Sequence, residues 1–296
     1  MFNKIVLVDP VFITANGKEE LKKFCKKLIV YDTFHTTEDE AIERIGDAEC
    51  VVVSYQTSLT QNVLKHCDNL KFVHMCCSFY GKEYTKVDVE YLENNNIEYA
   101  FLHGYGDNGA VEFTLAQIMN LLHGFGDKKW KEESYDLTGV KVGILGMGEL
   151  GAKIAEVLNS LGTTVYYYSR TRKKSLENHM LIYAELDDLL KTVDILSINL
   201  NRDVCLIGGD KLDIFGNGKI IVNTALGYCY EKATLVKWLE NKSNYYVCDK
   251  SSTNEDLKDI LGYENVVYTD QTIGASFQAY ERATVQIINN IKSYLE

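Results

Sequence analysis

The chain has 296 residues, 46% apolar and 25% charged, room for two domains of ordinary globular make-up. No apolar run approaches the roughly 18 residues of a membrane span, and a net charge of −11 disfavours nucleic acid or an anionic membrane as the main partner. Eight cysteines without a C-x-x-C spacing, together with an opening segment that enters a strand instead of an apolar signal core, lead us to expect reduced thiols and a cytoplasmic protein. The vicinal pair Cys76-Cys77 reads as packing, and no metal set is singled out.

In chain order, residues 4–9 read as a strand, 18–27 as a helix with Leu21, Phe24 and Cys25 on one face, and 28–31 as a second strand. Thr37-Glu38-Asp39-Glu40 is a capping box that opens a helix through Ala41, Ile42 and Ile45. A strand follows at 50–54, then a helix capped by Thr60, a strand at 72–77, a helix at 88–94 and a strand at 97–101. Such alternation implies a parallel, doubly wound sheet. A glycine-rich loop at 104–109 leads to a long apolar helix, 110–125, ended by Gly124 and Gly126 and expected to lie between the domains.

The second half continues in the same rhythm. Strands are expected at 141–145, 164–168, 194–200, 219–224, 245–248 and 266–268, with helices from Ala152, at 186–191, at 231–239 and at 276–295. The expected fold is α/β, with two doubly wound parallel-sheet domains. One comprises residues 1–103 plus 276–296, and the other, 104–275, is a Rossmann nucleotide-binding domain.

The strand at 141–145 runs into Gly146-Met147-Gly148-Glu149-Leu150-Gly151, a G-x-G-x-x-G turn that opens a helix. In a dinucleotide fold the first glycine makes the tight turn, the second admits the pyrophosphate and the third lets helix and strand approach. The helix start, with Glu149 and Leu150, then offers backbone N–H groups to the phosphates. About twenty residues on, where NAD-binding units place an acidic residue, stand Ser169, Arg170, Thr171 and Arg172, followed by Lys173 and Lys174. A hydroxyl and two guanidiniums suit a 2′-phosphate, so NADP(H) is expected over NAD(H), which remains possible.

Over nearly its whole length the chain resembles the D-2-hydroxyacid dehydrogenases. The marks are Ala110-Val111-Glu112 at the start of the long helix, the run Leu137 to Gly146, Val193-Asp194-Ile195-Leu196-Ser197, Val222-Asn223-Thr224-Ala225, Asp249, and the segment 269–276. The resemblance implies a homodimer with a small-molecule substrate bound in a cleft. It also implies that Asn199, Leu200, Thr224, Ala225 and Asp249 border the cofactor, with Asp249 at the nicotinamide carboxamide. The family uses an arginine to clamp a substrate carboxylate, a histidine to move a proton and a glutamate to tune that histidine. In this sequence the arginine's place is Leu226 and the histidine's place is Gln271. The glutamate's place is Asn254, or Glu255 if the register slips by one. The family's carboxylate-binding glycine turn is replaced by residues 77–84, longer and richer in side chains.

An amide is no general acid at neutral pH, a role worth about 10²–10⁴ in rate. The resemblance therefore implies an oxidoreductase whose acceptor is a carbonyl or imine other than a standard 2-keto acid. The proton would come from water or from His103, Tyr105, Tyr228, Lys250 or the 80–84 loop. The alternative is a relative that binds NADP(H) without turnover, as a regulator or scaffold.

Overall fold

The computed structural model describes every residue except Tyr80, Tyr228 and Asn254, with Glu255 and Asp256 described by their backbone alone. The chain divides into two units, Met1–Tyr105 with Ala275–Glu296, and Gly106–Gly274. No helix among the described residues is long and apolar enough to cross a membrane.

In the first unit β1 (Phe2–Leu7), α1 (Ala15–Leu21), β2 (Cys25–Val30), α2 (Glu38–Ile45), β3 (Cys50–Ser54), α3 (Gln61–Leu64), β4 (Phe72–Cys76), α4 (Val89–Asn94) and β5 (Glu98–Phe101) alternate. The strands form one parallel sheet in the order β2-β1-β3-β4-β5. Side chains alternate across a strand, so β3, buried throughout, feeds both faces. Val51 and Val53 pack with Ala41, Ile45, Val63 and Leu92, while Cys50 and Val52 pack with Ile13, Leu21, Ile287 and Ile291 of the closing helix, Phe277–Leu295. Thr37 Oγ1 accepts from Glu40 N as a capping box requires. The Glu40 carboxylate reaches one residue further back, to the N–H and hydroxyl of Thr36.

The second unit comprises α5 (Asp107–His123), β6 (Lys141–Leu145), α6 (Glu149–Ser160), β7 (Thr164–Tyr168), β8 (Leu181–Tyr183), α7 (Leu186–Thr192), β9 (Ile195–Ile198), α8 (Lys211–Phe215), β10 (Ile220–Asn223), α9 (Lys232–Leu239), β11 (Tyr245–Asp249) and β12 (Val266–Thr269); the closing helix is α10. Its seven strands are parallel in the order β12-β11-β10-β9-β6-β7-β8. Strand order reverses at β6/β9, the switch point at which open α/β sheets bind ligands. Helix α5 belongs to this unit, and its Ile118, Leu121 and Leu122 join the core under Val142 and Ile144.

Both sheets are the parallel α/β sheets that the β-α rhythm implies. Local boundaries differ. The helix expected at 18–27 stops at Leu21, a 3₁₀ turn covers Lys22–Phe24, and β2 begins at Cys25, because Cys25 pairs with the sheet through Phe2. The 104–109 loop is shorter than expected, since α5 already starts at Asp107. The short elements β8 and α8 were absent from the sequence reading.

Candidate dinucleotide site

Strand β6 is buried from Val142 to Leu145 and delivers the chain to Gly146 at the carboxyl edge of the sheet. Gly146 has φ +94, and a Cβ there would stand 2.4 Å from the Asn199 carbonyl oxygen. Both the turn and the approach of the loop after β9 therefore demand glycine. At Gly151 a Cβ would fall 2.1 Å from the Gly146 carbonyl oxygen, so the first turn of α6 packs directly on the glycine turn. Gly148 has open space where its Cβ would be. It is the N-cap of α6, and no side chain caps that helix. The first amides of a twelve-residue helix, uncapped and reached past a residue without a side chain, fit a pyrophosphate.

The end of β7 is occupied differently from a simple basic loop. Arg172 donates from Nε and Nη2 to the two oxygens of Glu177, at 2.8 and 2.6 Å, and lies 4.8 Å above the Tyr183 ring. Glu177 also accepts from Tyr167 Oη at 2.8 Å, and the Arg172 hydrogen bond chiefly holds its carboxyl down at about 2. Ser169 Oγ donates to the Thr171 carbonyl at 2.6 Å. Arg170 and Thr171 are exposed, and among the described residues the Arg170 guanidinium has no hydrogen-bond or ion-pair partner. Sequence reasoning missed Glu177: eight residues past Ser169, its only signal was an acid close behind a basic run.

On the other side of the turn, the ends of β9 and β10 are tied together. Asn199 Nδ2 donates to Ser197 Oγ at 3.0 Å, and its Oδ1 accepts from Thr224 Oγ1 at 2.8 Å. Thr224 N donates to the Ile198 carbonyl, and Ala225 N to Asn223 Oδ1. Leu200 lies against Gly146 beside Asn199. Leu226 is half-buried, and its carbonyl accepts from Asp203 N at 3.3 Å. Asp249 is fully buried at the end of β11. Its Oδ1 accepts from Ser252 N at 2.8 Å, and its Oδ2 accepts from Ile273 N at 3.1 Å and from the Ser251 hydroxyl. That carboxylate organises the loops carrying Lys250 and Gln271, which are joined by a bond from Lys250 N to the Gln271 carbonyl. Gln271 is exposed, and Lys250 Nζ pairs with Asp270 at 3.1 Å among exposed side chains.

The structure thus places the glycine turn, Ser169–Arg172, Asn199, Leu200, Thr224, Ala225, Leu226, Asp249, Lys250 and Gln271 in the second unit, at or just after the carboxyl ends of its strands. His103 and Tyr105 are in the first unit. The His103 backbone is clamped by Gln286, its N–H donating at 2.8 Å and its carbonyl accepting at 2.9 Å, and its ring meets Phe101 edge-on. The Tyr105 ring packs 5.3 Å from Phe12. Tyr80, Tyr228 and Asn254 lie outside the described residues, and Glu255 begins a 3₁₀ turn. A groove of about 490 Å³ lined by Gly216, Asn217 and Asn241 precedes β10 and β11, at the opposite end of the sheet from the glycine turn.

Comparison with known proteins agrees with this layout. Residues 114–270 match the family model described as D-isomer specific 2-hydroxyacid dehydrogenase, NAD binding domain. A glyoxylate reductase of Pyrococcus furiosus is 24% identical, over 96% of this chain and 91% of the relative. Among solved structures, an acyclic imino acid reductase in complex with NADPH and D-Arg superposes with a TM-score of 0.82 at 20% identity, covering 99% of this chain and 97% of that one. A D-lactate dehydrogenase from Aquifex aeolicus, complexed with NAD and lactic acid, gives 0.80 at 20% identity, over 99% and 95%.

Proposed function

The chain belongs to the D-isomer specific 2-hydroxyacid dehydrogenases, NAD(P)-dependent oxidoreductases, and from that premise we propose that it transfers hydride between NADP(H) and a carbonyl or imine substrate other than a standard 2-hydroxy acid. The observation that carries this reading is a glycine turn shaped for a dinucleotide in the same unit as two positions, Leu226 and Gln271, that carry neither the family's cation nor its titratable ring. A bound nicotinamide supplies the hydride chemistry. The residues of this chain hold and orient. The α6 amides take the pyrophosphate, Asp249 fixes the loops facing the nicotinamide, and the Gln271 carboxamide hydrogen-bonds the acceptor. Leu226 leaves no clamp for a carboxylate at the family's position, which favours acceptors of less charge.

Preference for NADP(H) rests on Arg170, whose guanidinium after β7 has no partner among the described residues, and on Glu177 there being engaged by Arg172. We propose residues 106–274 as the nucleotide-binding domain and the remainder as the substrate domain of a cytoplasmic homodimer.

The test is turnover. NADPH is mixed with a panel of aldehydes, ketones, imines and 2-keto acids, and nicotinamide absorbance is followed. Oxidation with an uncharged carbonyl or an imine, and slow or no reaction with glyoxylate and pyruvate, is expected. Brisk glyoxylate reduction would refute the substrate reading. Tight NADPH binding without turnover on any acceptor would favour the second reading, a non-catalytic NADP(H)-binding regulator, which the replacement of arginine and histidine by Leu226 and Gln271 also accommodates.

A further inference from the structure

The first unit has its own switch point. From β1 the chain moves outward to β2, and from β3 it moves the other way through β4 to β5, so the loops after β1 and β3 diverge. Sheets of the order 2-1-3-4-5 place ligands at this crevice, outside the carboxyl ends of the strands. Here that crevice is a cavity of about 370 Å³ bounded by Asp9, Phe34, His35, Gln56, Ser58 and Lys86, among others.

Its floor is a finished polar network. Asp9, fully buried as a side chain, accepts from His35 N at 2.9 Å, His35 Nδ1 at 3.0 Å, Arg44 Nη1 at 3.1 Å and Thr57 Oγ1 at 2.6 Å. The carboxylate thereby fixes the ring of His35, whose side chain is 11% exposed, with Nδ1 turned inward. The opposite nitrogen, Nε2, has no hydrogen-bond partner among the described residues, and neither do Lys86 Nζ and the Ser58 hydroxyl. The neighbouring carboxylates are already engaged. Glu38 accepts from Thr60 and Asn62, and Glu40 accepts from Arg44 and Thr36.

A network that only pinned strand ends would need Asp9, Arg44 and Thr57. Beyond that network, His35 Nε2, the Ser58 hydroxyl and the exposed Lys86 ammonium border one cavity and are free of protein partners among the described residues. We propose that this cavity binds a small anion through a carboxylate or phosphate group, with His35 Nε2, Lys86 Nζ and Ser58 Oγ as donors and Phe34 as the wall for any carbon skeleton. The site shares no residue with the dinucleotide site and does not depend on the substrate reading.

The histidine ring signals of the intact protein, followed by NMR at constant ionic strength near pH 6, provide the test. Inorganic phosphate and acetate are titrated separately, with His35 assigned by His35→Ala. A saturable shift of the His35 ring with a millimolar or tighter midpoint is expected for at least one anion. The responding anion identifies the group bound. Lys86→Met should weaken that midpoint about tenfold or more, with circular dichroism confirming that the variant is folded. A His35 ring unmoved by tens of millimolar of either anion, or identical titrations in the starting protein and Lys86→Met, would overturn the proposal.

Discussion

At the end of β7, two arginines two positions apart have different surroundings. Arg172 is held by Glu177 and Tyr183, whereas Arg170 faces solvent. If Arg172 chiefly neutralises Glu177, then Arg172→Ala leaves a carboxylate beside the Tyr167 hydroxyl and should weaken NADPH binding severalfold while sparing NADH. Glu177→Gln removes that charge and should strengthen NADPH binding by about threefold, in the range of a screened surface charge. Calorimetric titration of each variant reads both effects. Unchanged NADPH affinity in Glu177→Gln would count against this division of labour. The glycines separate fold from binding in the same way. Gly148→Ala places a methyl in open space at a φ of −81, so stability should hold while both cofactors bind at least tenfold more weakly. Gly151→Ala, with its methyl 2.1 Å from the Gly146 carbonyl oxygen, should also lower the denaturation free energy by about 1–3 kcal/mol.

Among the elements, β4 carries a pH-sensitive joint. His74 is buried in that strand, and its ring faces the Asn290 amide of α10 at 3.1 Å. Burial pushes its pKa down to about 3. The unfolded chain takes up the proton near pH 6.5, so the neutral ring's contribution is complete above about 6.5 and is lost as pH falls toward 3. Stability measured by urea unfolding should fall by several kcal/mol across that window, and His74→Gln should flatten the decline. What could be read from sequence at this scale followed hydrogen-bond chemistry. The caps Thr37 and Thr60 each accept the backbone N–H three residues on, as their residue types suggest. By contrast β8, at three residues, and α8, at five, are too short to show a period. They form because their neighbours supply pairing and a core, with Leu181 joining β7 and Phe215 stacking on Trp238.

For the whole molecule, two parallel sheets and a glycine turn at the second sheet's switch point were legible from the β-α rhythm and a single motif. The partners of the charged side chains were not. Arg172 meets Glu177 across a turn within one loop, and Asp9 meets His35 from the loops after two different strands, so only the folded chain brings each pair together. The central claim is that this dehydrogenase-family chain holds NADP(H) in preference to NAD(H). Calorimetric titration of the intact protein with NADPH and with NADH, repeated on Arg170→Ala, tests it most directly. NADPH should bind tenfold or more tightly than NADH, about 1.4 kcal/mol or more, and Arg170→Ala should erase the difference. Equal affinity for the two cofactors in the starting protein, or binding of neither, would contradict it.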